Sequence, residues 1–155
     1  MRAELKRLQR ELGITFIHVT HGQDEALALA LADEIVVMNG GRIEQSGPAR
    51  DVFNAPLTEF VARFIGGHNV LTLNGARCAL RADDVQLAET GTGHDATVQA
   101  VEYQGSFVAV TAALAEGAQE IQALVPEARF FSRPTNPGEA VRLAWDEGRL
   151  HRLQN

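Results

Sequence analysis

His21 and three arginines, Arg81, Arg133 and Arg142, are the residues whose type and setting could carry chemistry. His21 closes the apolar, β-branched run ITFIHVT of residues 14–20. In open α/β sheets, ligands bind beyond the carboxyl ends of the strands. An imidazole at that position can donate a hydrogen bond to a phosphate oxygen. The plainer alternative is a histidine that caps a strand or satisfies a backbone carbonyl. His18 lies inside the same run and reads as a packed core residue. Residues three apart on a strand point to opposite faces, so His18 and His21 do not form a metal pair. The three arginines could serve an oxyanion, or could be solvated charges and local salt-bridge partners. Trp145 and Tyr103 could form a stacking platform, or could fill core and interface positions. No metal site is expected. The single Cys78 excludes an internal disulfide and a cysteine-based cluster.

The elements that must position these residues fall into two patterns. Met1, Leu5, Leu8 and Leu12 form a helical stripe that Gly13 ends. Residues 14–20 predict a buried strand, parallel because helical patterns flank it. A helix is expected from Gln23 to Leu31, with Asp24 and Glu25 in its favourable first turn. IVVM (35–38) predicts another buried strand, and Asn39-Gly40-Gly41 a hairpin turn from which RIEQS returns. A short helix around Val52 and Phe53 follows Gly47-Pro48. Leu57, Phe60, Val61, Phe64 and Ile65 then sit at helical spacing, and Gly66-Gly67 stops that helix. A parallel strand needs neighbours on both sides. Residues 1–66 supply few, so a missing N-terminal part or an oligomer is expected to cover the open edge.

From Asn69 onward the pattern changes to short strands at 69–73, 77–81, 96–104, 106–114, 119–125, 139–145 and 149–153. Gly91-Thr-Gly93 and Asn136-Pro-Gly138 punctuate them. So many short strands in under 90 residues predict a small antiparallel barrel or sandwich. The domains expected are therefore residues 1–66 and residues 67–155.

Composition removes other classes. Hydrophobic residues make up 45% of the 155, enough for a packed core. The longest apolar run, Ala26 to Ala32, falls far short of the roughly 20 residues of a membrane span. No secretory signal is read at Met1, and a reducing cytosol suits one cysteine. The net charge is −6, and both expected domains are acidic. Nucleic-acid binders need clustered positive charge to displace counterions, so no nucleic-acid partner is expected.

The run from Leu12 to Gly66 resembles the end of the ATPase domain of bacterial ABC importers. TFIHVTHGQDEAL resembles the segment bearing that family's switch histidine. LADEIVVMNGGRIEQSGPARDVFNAP resembles the strand, hairpin and helix that follow, and TEFVARFIGGHNVL the exit into the accessory domain. Residues 69–155 resemble the transport-associated OB (TOBE) domain. LRADDVQL is similar to its R-P-E-D-V element, with Ala82 for the proline. VEYQGSFVAVTAAL is similar to its central hairpin, and NPGEAVRLAWDEGRLHRL to its closing strands. Two departures stand out. Gly22 follows the histidine where the family commonly has an acid, and Asp33 lies twelve residues after His21 rather than ten.

The resemblance implies an α/β partial ABC ATPase domain over residues 1–66, followed by an all-β OB-like (TOBE) barrel over residues 67–155. It implies that His21 is the switch histidine, contacting the γ-phosphate and orienting water, in a reaction where positioning does most of the work. ATP and magnesium belong to the full-length family. This chain has no G-x-x-x-x-G-K-[ST] loop, no strand ending in Asp-Glu and no Ser-Gly-Gly signature, so no cofactor and no catalysis are expected of it alone. The implied partners are a second copy, as a dimer, and transmembrane permease subunits, placing the chain on the cytoplasmic face of the membrane. The junction and accessory sequence are nearest to polyamine and iron importers. The alternative is a stand-alone regulatory, dimerisation or oxyanion-binding TOBE module without catalysis.

Overall fold

The computed structural model describes residues 2–20, 32–88 and 91–154. Helix α1 (Arg2–Leu12) has Glu4 in its first turn and Arg10 in its last, both favourable to the helix dipole. The Gly13 N–H donates to the Gln9 carbonyl at 3.0 Å and closes it. Leu5, Leu8 and Leu12 remain exposed.

The run 14–20 is not the expected buried strand. It carries no strand assignment, and Ile17 and Val19 are 89% and 86% exposed. The reason is physical: every strand pair among the described residues is antiparallel, and none offers 14–20 the parallel neighbour such a strand requires. The α/β part of the expected fold is therefore not displayed. The expected helix 23–31 lies outside the described residues.

Strands β1 (Glu34–Asn39) and β2 (Arg42–Pro48) form a two-stranded hairpin. Gly40 and Gly41 turn it with φ of 53° and 77°, the left-handed pair that such a two-residue turn needs. IVVM is a strand, but only Val37 in it is buried, because one face alone is covered. Helix α2 (Ala49–Asn54) buries Val52. Helix α3 (Glu59–Ile65) starts at Thr58, whose hydroxyl accepts from the Val61 N–H at 3.3 Å. It buries Val61, Ala62 and Ile65. Val37, Val52, Val61 and Ile65 form one small apolar cluster beneath Phe53, Phe60 and Phe64.

The rest of the chain is mostly β. Strands β3 (His68–Leu73) and β4 (Ala76–Arg81) pair antiparallel, and β10 (His151–Arg152) lies on the other edge of β4. A second sheet has the order β5-β9-β6-β7-β8, from β5 (Gln86–Ala88), β6 (His94–Tyr103), β7 (Phe107–Leu114), β8 (Glu120–Pro126) and β9 (Ala140–Ala144). Their inward residues, among them Leu71, Leu80, Val98, Val110, Ile121 and Leu143, form one core. This is the small OB-like barrel expected. Two features depart from the expectation: β5, and the short helix α4 (Glu127–Ser132) after Pro126. At Gly93 a side chain would sit 2.6 Å from the Leu143 carbonyl oxygen, so only glycine lets β6 begin beside β9.

The two sheets meet where β3 faces β8, and side-chain amides close that seam. Asn69 Nδ2 donates to the Gln122 carbonyl at 2.8 Å, and Asn69 Oδ1 accepts from the Gln122 N–H at 2.8 Å. Gln119 does the same in reverse to the Thr72 backbone, at 2.6 and 2.9 Å. Each amide imitates a peptide group and satisfies a donor and an acceptor on the facing backbone.

Candidate functional site

His21 lies outside the described residues, so its inferred γ-phosphate contact has no geometry to weigh. The other predicted residues separate into two places.

Arg81 ends β4 and belongs to the junction between the helices and the barrel. Its Nε donates to Asp83 at 2.8 Å, its Nη2 pairs with the same carboxylate, and its Nη1 donates to Asn54 Oδ1 at 2.8 Å. Its guanidinium also stands 5.0 Å over the Phe53 ring, a cation–π distance. The bonds to Asp83 raise its pKa further above the ordinary arginine value. Beside it, His68 packs edge-on to Phe53 at 5.3 Å, with Nδ1 2.8 Å from the Gly66 carbonyl. Its Nε2 is buried without a well-aligned partner. Burial lowers the His68 pKa, and the Arg81 charge adds to this; the Gly66 and Phe53 carbonyls oppose it. The Ala82 N–H donates to the Gly67 carbonyl at 2.9 Å, a bond that the family's proline could not make.

Arg133 and Arg142 come together instead. With Arg129 they line a cleft of about 480 Å³ between α4 with its exit loop and the β5, β6 and β9 strands. Arg142 is half-buried, and its Nε stands 2.9 Å from Asp95 Oδ1. That contact is an ion pair by distance but lacks hydrogen-bond alignment. Glu139 also faces the cleft, and its carboxylate is hydrogen-bonded locally by neutral donors. It accepts from Asn136 Nδ2 and the Asn136 N–H, both at 3.1 Å, and from the Thr135 hydroxyl at 2.9 Å. Those bonds, the Asn136 side chain first, hold its pKa below the usual glutamate value. No acid among the described residues is paired with Arg129. Sequence reading missed Arg129 and the acids because their nearness depends on α4 folding back over the sheet. Pro126 followed by Glu127, a favourable start to a helix, was the available signal.

Trp145 and Tyr103 do not form a common platform. Trp145 stacks on His94 at 4.4 Å, at one end of β6, and Tyr103 sits by Phe131 at the other. His94, on which Trp145 stacks, and Tyr103 are the first and last residues of β6, which keeps the two rings apart. Among the described residues, no group of three or more His, Cys, Asp or Glu could hold a metal ion. No described helix is long and apolar enough to cross a membrane.

Comparison with known proteins agrees with this geometry. Residues 78–153 match the family model described as TOBE domain. The chain is 42% identical over 115 residues to the spermidine/putrescine import ATP-binding protein PotA of Bacillus thuringiensis (strain Al Hakam), covering 69% of this chain and 34% of that one. It is 38% identical over 159 residues to the uncharacterized ABC transporter ATP-binding protein YdcT of Escherichia coli (strain K12), covering 94% and 45%. The chain thus spans a third to a half of the length of these relatives. A solved structure of the cytoplasmic molybdate-binding protein ModG overlaps 48% of this chain and 58% of its own, at 19% identity and a TM-score of 0.43, too slight a likeness to carry an argument.

These relatives are named as ATP-binding proteins, and the described residues do not fit that nucleotide. The only lysine in the chain is Lys6, which stands on α1, 3.9 Å from Asp33, and not in a phosphate-binding loop. The cleft acids are engaged by Arg142, Thr135 and Asn136.

Proposed function

The chain belongs to the TOBE-bearing ATP-binding proteins of ABC importers, matching the C-terminal part of such a subunit, and from that premise we propose that it is the C-terminal portion, itself without the phosphate loop, of a subunit that couples ATP hydrolysis to uptake of a polyamine or iron cargo. In this reading residues 1–66 complete an ATPase domain and carry His21 to the γ-phosphate, while residues 67–155 form the accessory barrel. The working unit is a dimer seated on permease subunits at the cytoplasmic face of the membrane.

The observation that carries the reading is how residues 34–65 are fastened to the barrel. Ala62 of α3 packs with Ala79 and Leu153, Glu59 pairs with Arg77 at 2.8 Å, and Arg81 reaches Asn54. The Gln154 N–H also donates to the Leu57 carbonyl at 2.6 Å. These contacts span the Gly66-Gly67 junction, so a displacement of the helical segment is passed on to the barrel. That is what coupling between a hydrolysing domain and its accessory domain requires.

The test is a hybrid in which this chain replaces the matching part of the Bacillus thuringiensis relative. ATPase activity and uptake of labelled putrescine are measured in cells lacking the native subunit. The hybrid is expected to hydrolyse ATP, and His21→Ala to lower that rate by roughly 100-fold, the scale of losing one transition-state contact. A folded, dimeric hybrid whose hydrolysis is indifferent to His21→Ala would overturn the catalytic assignment.

A second reading, binding of a small anion, is favoured by one observation: Arg129, Arg133 and Arg142 share a cleft. It does not exclude the first, since an accessory barrel can hold a regulatory ligand. Arg81, the third arginine put forward for an oxyanion, is spent on Asp83 and Asn54 and stands outside that cleft.

A further inference from the structure

Resting on the second reading, we infer that the cleft between α4 and the β5-β9-β6 edge takes an organic anion with an apolar body, rather than a bare inorganic oxyanion. Size is the first argument. A water occupies about 30 Å³ of liquid, and a tetrahedral oxyanion displaces on the order of a few waters. The cleft measures about 480 Å³, within the roughly 300–1,000 Å³ of sites that hold small organic molecules. A bare oxyanion would leave most of it filled with water.

The lining is the second argument. Leu87, Val125, Phe130 and Val141 present apolar surface to the same space as the arginines. An inorganic ion makes no use of such a wall, whereas an aliphatic or aromatic body gains by leaving water. Charge is the third. Asp95 is matched by Arg142, Glu139 keeps its charge under hydrogen bonds from the neutral Thr135 and Asn136, and Arg129, Arg133 and Arg142 against these two acids leave the lining one positive charge in excess. The positive charge of Arg129 is matched by no described acid, and from α4 it lines the same cleft as the apolar wall. The ligand class that fits is a carboxylate or phosphate ester whose acid head meets Arg129 and whose body lies on Val141 and Leu87.

The test uses the full chain, ¹⁵N-labelled, with backbone amide shifts followed by NMR. The probes are sodium 4-phenylbutyrate, its neutral amide, sodium sulfate and sodium molybdate. Phenylbutyrate is expected to shift the amides of Arg129, Arg133 and Val141 saturably, with the neutral amide and both inorganic anions at least tenfold weaker. Arg129→Gln is expected to weaken phenylbutyrate about tenfold, the scale of a charge-assisted hydrogen bond. Val141→Asn, which keeps the arginines, is expected to weaken phenylbutyrate and leave sulfate unchanged. Sulfate or molybdate binding there as tightly as phenylbutyrate would overturn the organic-anion inference and leave the anion site standing. Equal binding of the neutral amide would remove the role of Arg129. Silence of these amides toward every probe, in a chain whose spectrum stays dispersed, would remove both.

Discussion

Ile17 and Ile121 are the same residue type in similar β-branched runs, and their fates are opposite. Ile17, in ITFIHVT, is 89% exposed, while Ile121, in β8, is fully buried. The difference is not propensity. β8 has β7 beside it, β3 across the seam and a core of aliphatic residues inside. ITFIHVT has none of these among the described residues. A strand is stabilised by its neighbours, and the same sequence without them stays unpaired. The barrel carries its own neighbours, whereas the N-terminal stretch has none among the described residues.

The largest effect that would test this contrast lies in the barrel core. Leu143 is fully buried and packs in the main cluster. Leu143→Ala is expected to cost about 2–5 kcal/mol of stability, read from urea unfolding followed by tryptophan fluorescence. A loss below about 1 kcal/mol would mean that the barrel is not the stable unit.

The seam comes next. Asn69→Ala removes the amide that satisfies both the Gln122 N–H and its carbonyl, in a position that is itself buried. The expected cost is about 1–3 kcal/mol, the scale of leaving buried polar groups unpaired. Gln119→Ala, at the more exposed end of the seam, is expected to cost less. Hydrogen exchange should show the Gln122 amide losing protection in Asn69→Ala while the β6–β7 amides keep theirs.

A smaller effect follows from His68 at the junction. Its folded pKa lies below the ordinary 6.5, chiefly because the ring is buried. As pH falls through 6.5, the unfolded chain takes up a proton that the folded chain refuses, so stability is lost on acidification down to the folded pKa. The contribution is fully present above 6.5. The neighbouring Arg81, its pKa raised by Asp83, keeps its charge across that range. The urea midpoint should fall from pH 7.5 to pH 5.5 in the native chain and fall less in His68→Gln. Parallel curves for the two would show that another group sets the slope.

Much of the barrel was legible because its signals are local. The short strand at 106–114 and the turns at Gly91-Thr-Gly93 and Asn136-Pro-Gly138 need no distant partner to be read. The amphipathic spacing that ends at Ile65 became α3 for the same reason. What escaped depended on distance. The predicted strand 14–20 was sound as a pattern, but it needed a sheet to join. The cleft was half visible: Arg133 and Arg142 were singled out with Arg81, yet spacing could not say that α4 brings Arg129 to the first two while Asp83 and Asn54 hold the third. The amide seam had no signal in sequence, because Asn69 and Gln122 are 53 residues apart and neither type marks such a pairing.

The smallest expected effect is the one that sharpens the contrast most. Leu8 sits on the exposed apolar face of α1. In this chain alone Leu8→Gln is expected to change stability by no more than about 0.5 kcal/mol, as for a surface substitution. In the hybrid that supplies the preceding part of an ABC relative, the same face is expected to meet a covering surface. There the substitution removes apolar burial worth about 1.5–3 kcal/mol and is expected to lower the urea midpoint measurably. The two measurements differ only in whether α1 has its neighbour. If Leu8→Gln is silent in both, α1 is not the covered face of a larger domain. If it is costly in both and the cost grows with protein concentration, a second copy of the chain already covers that face.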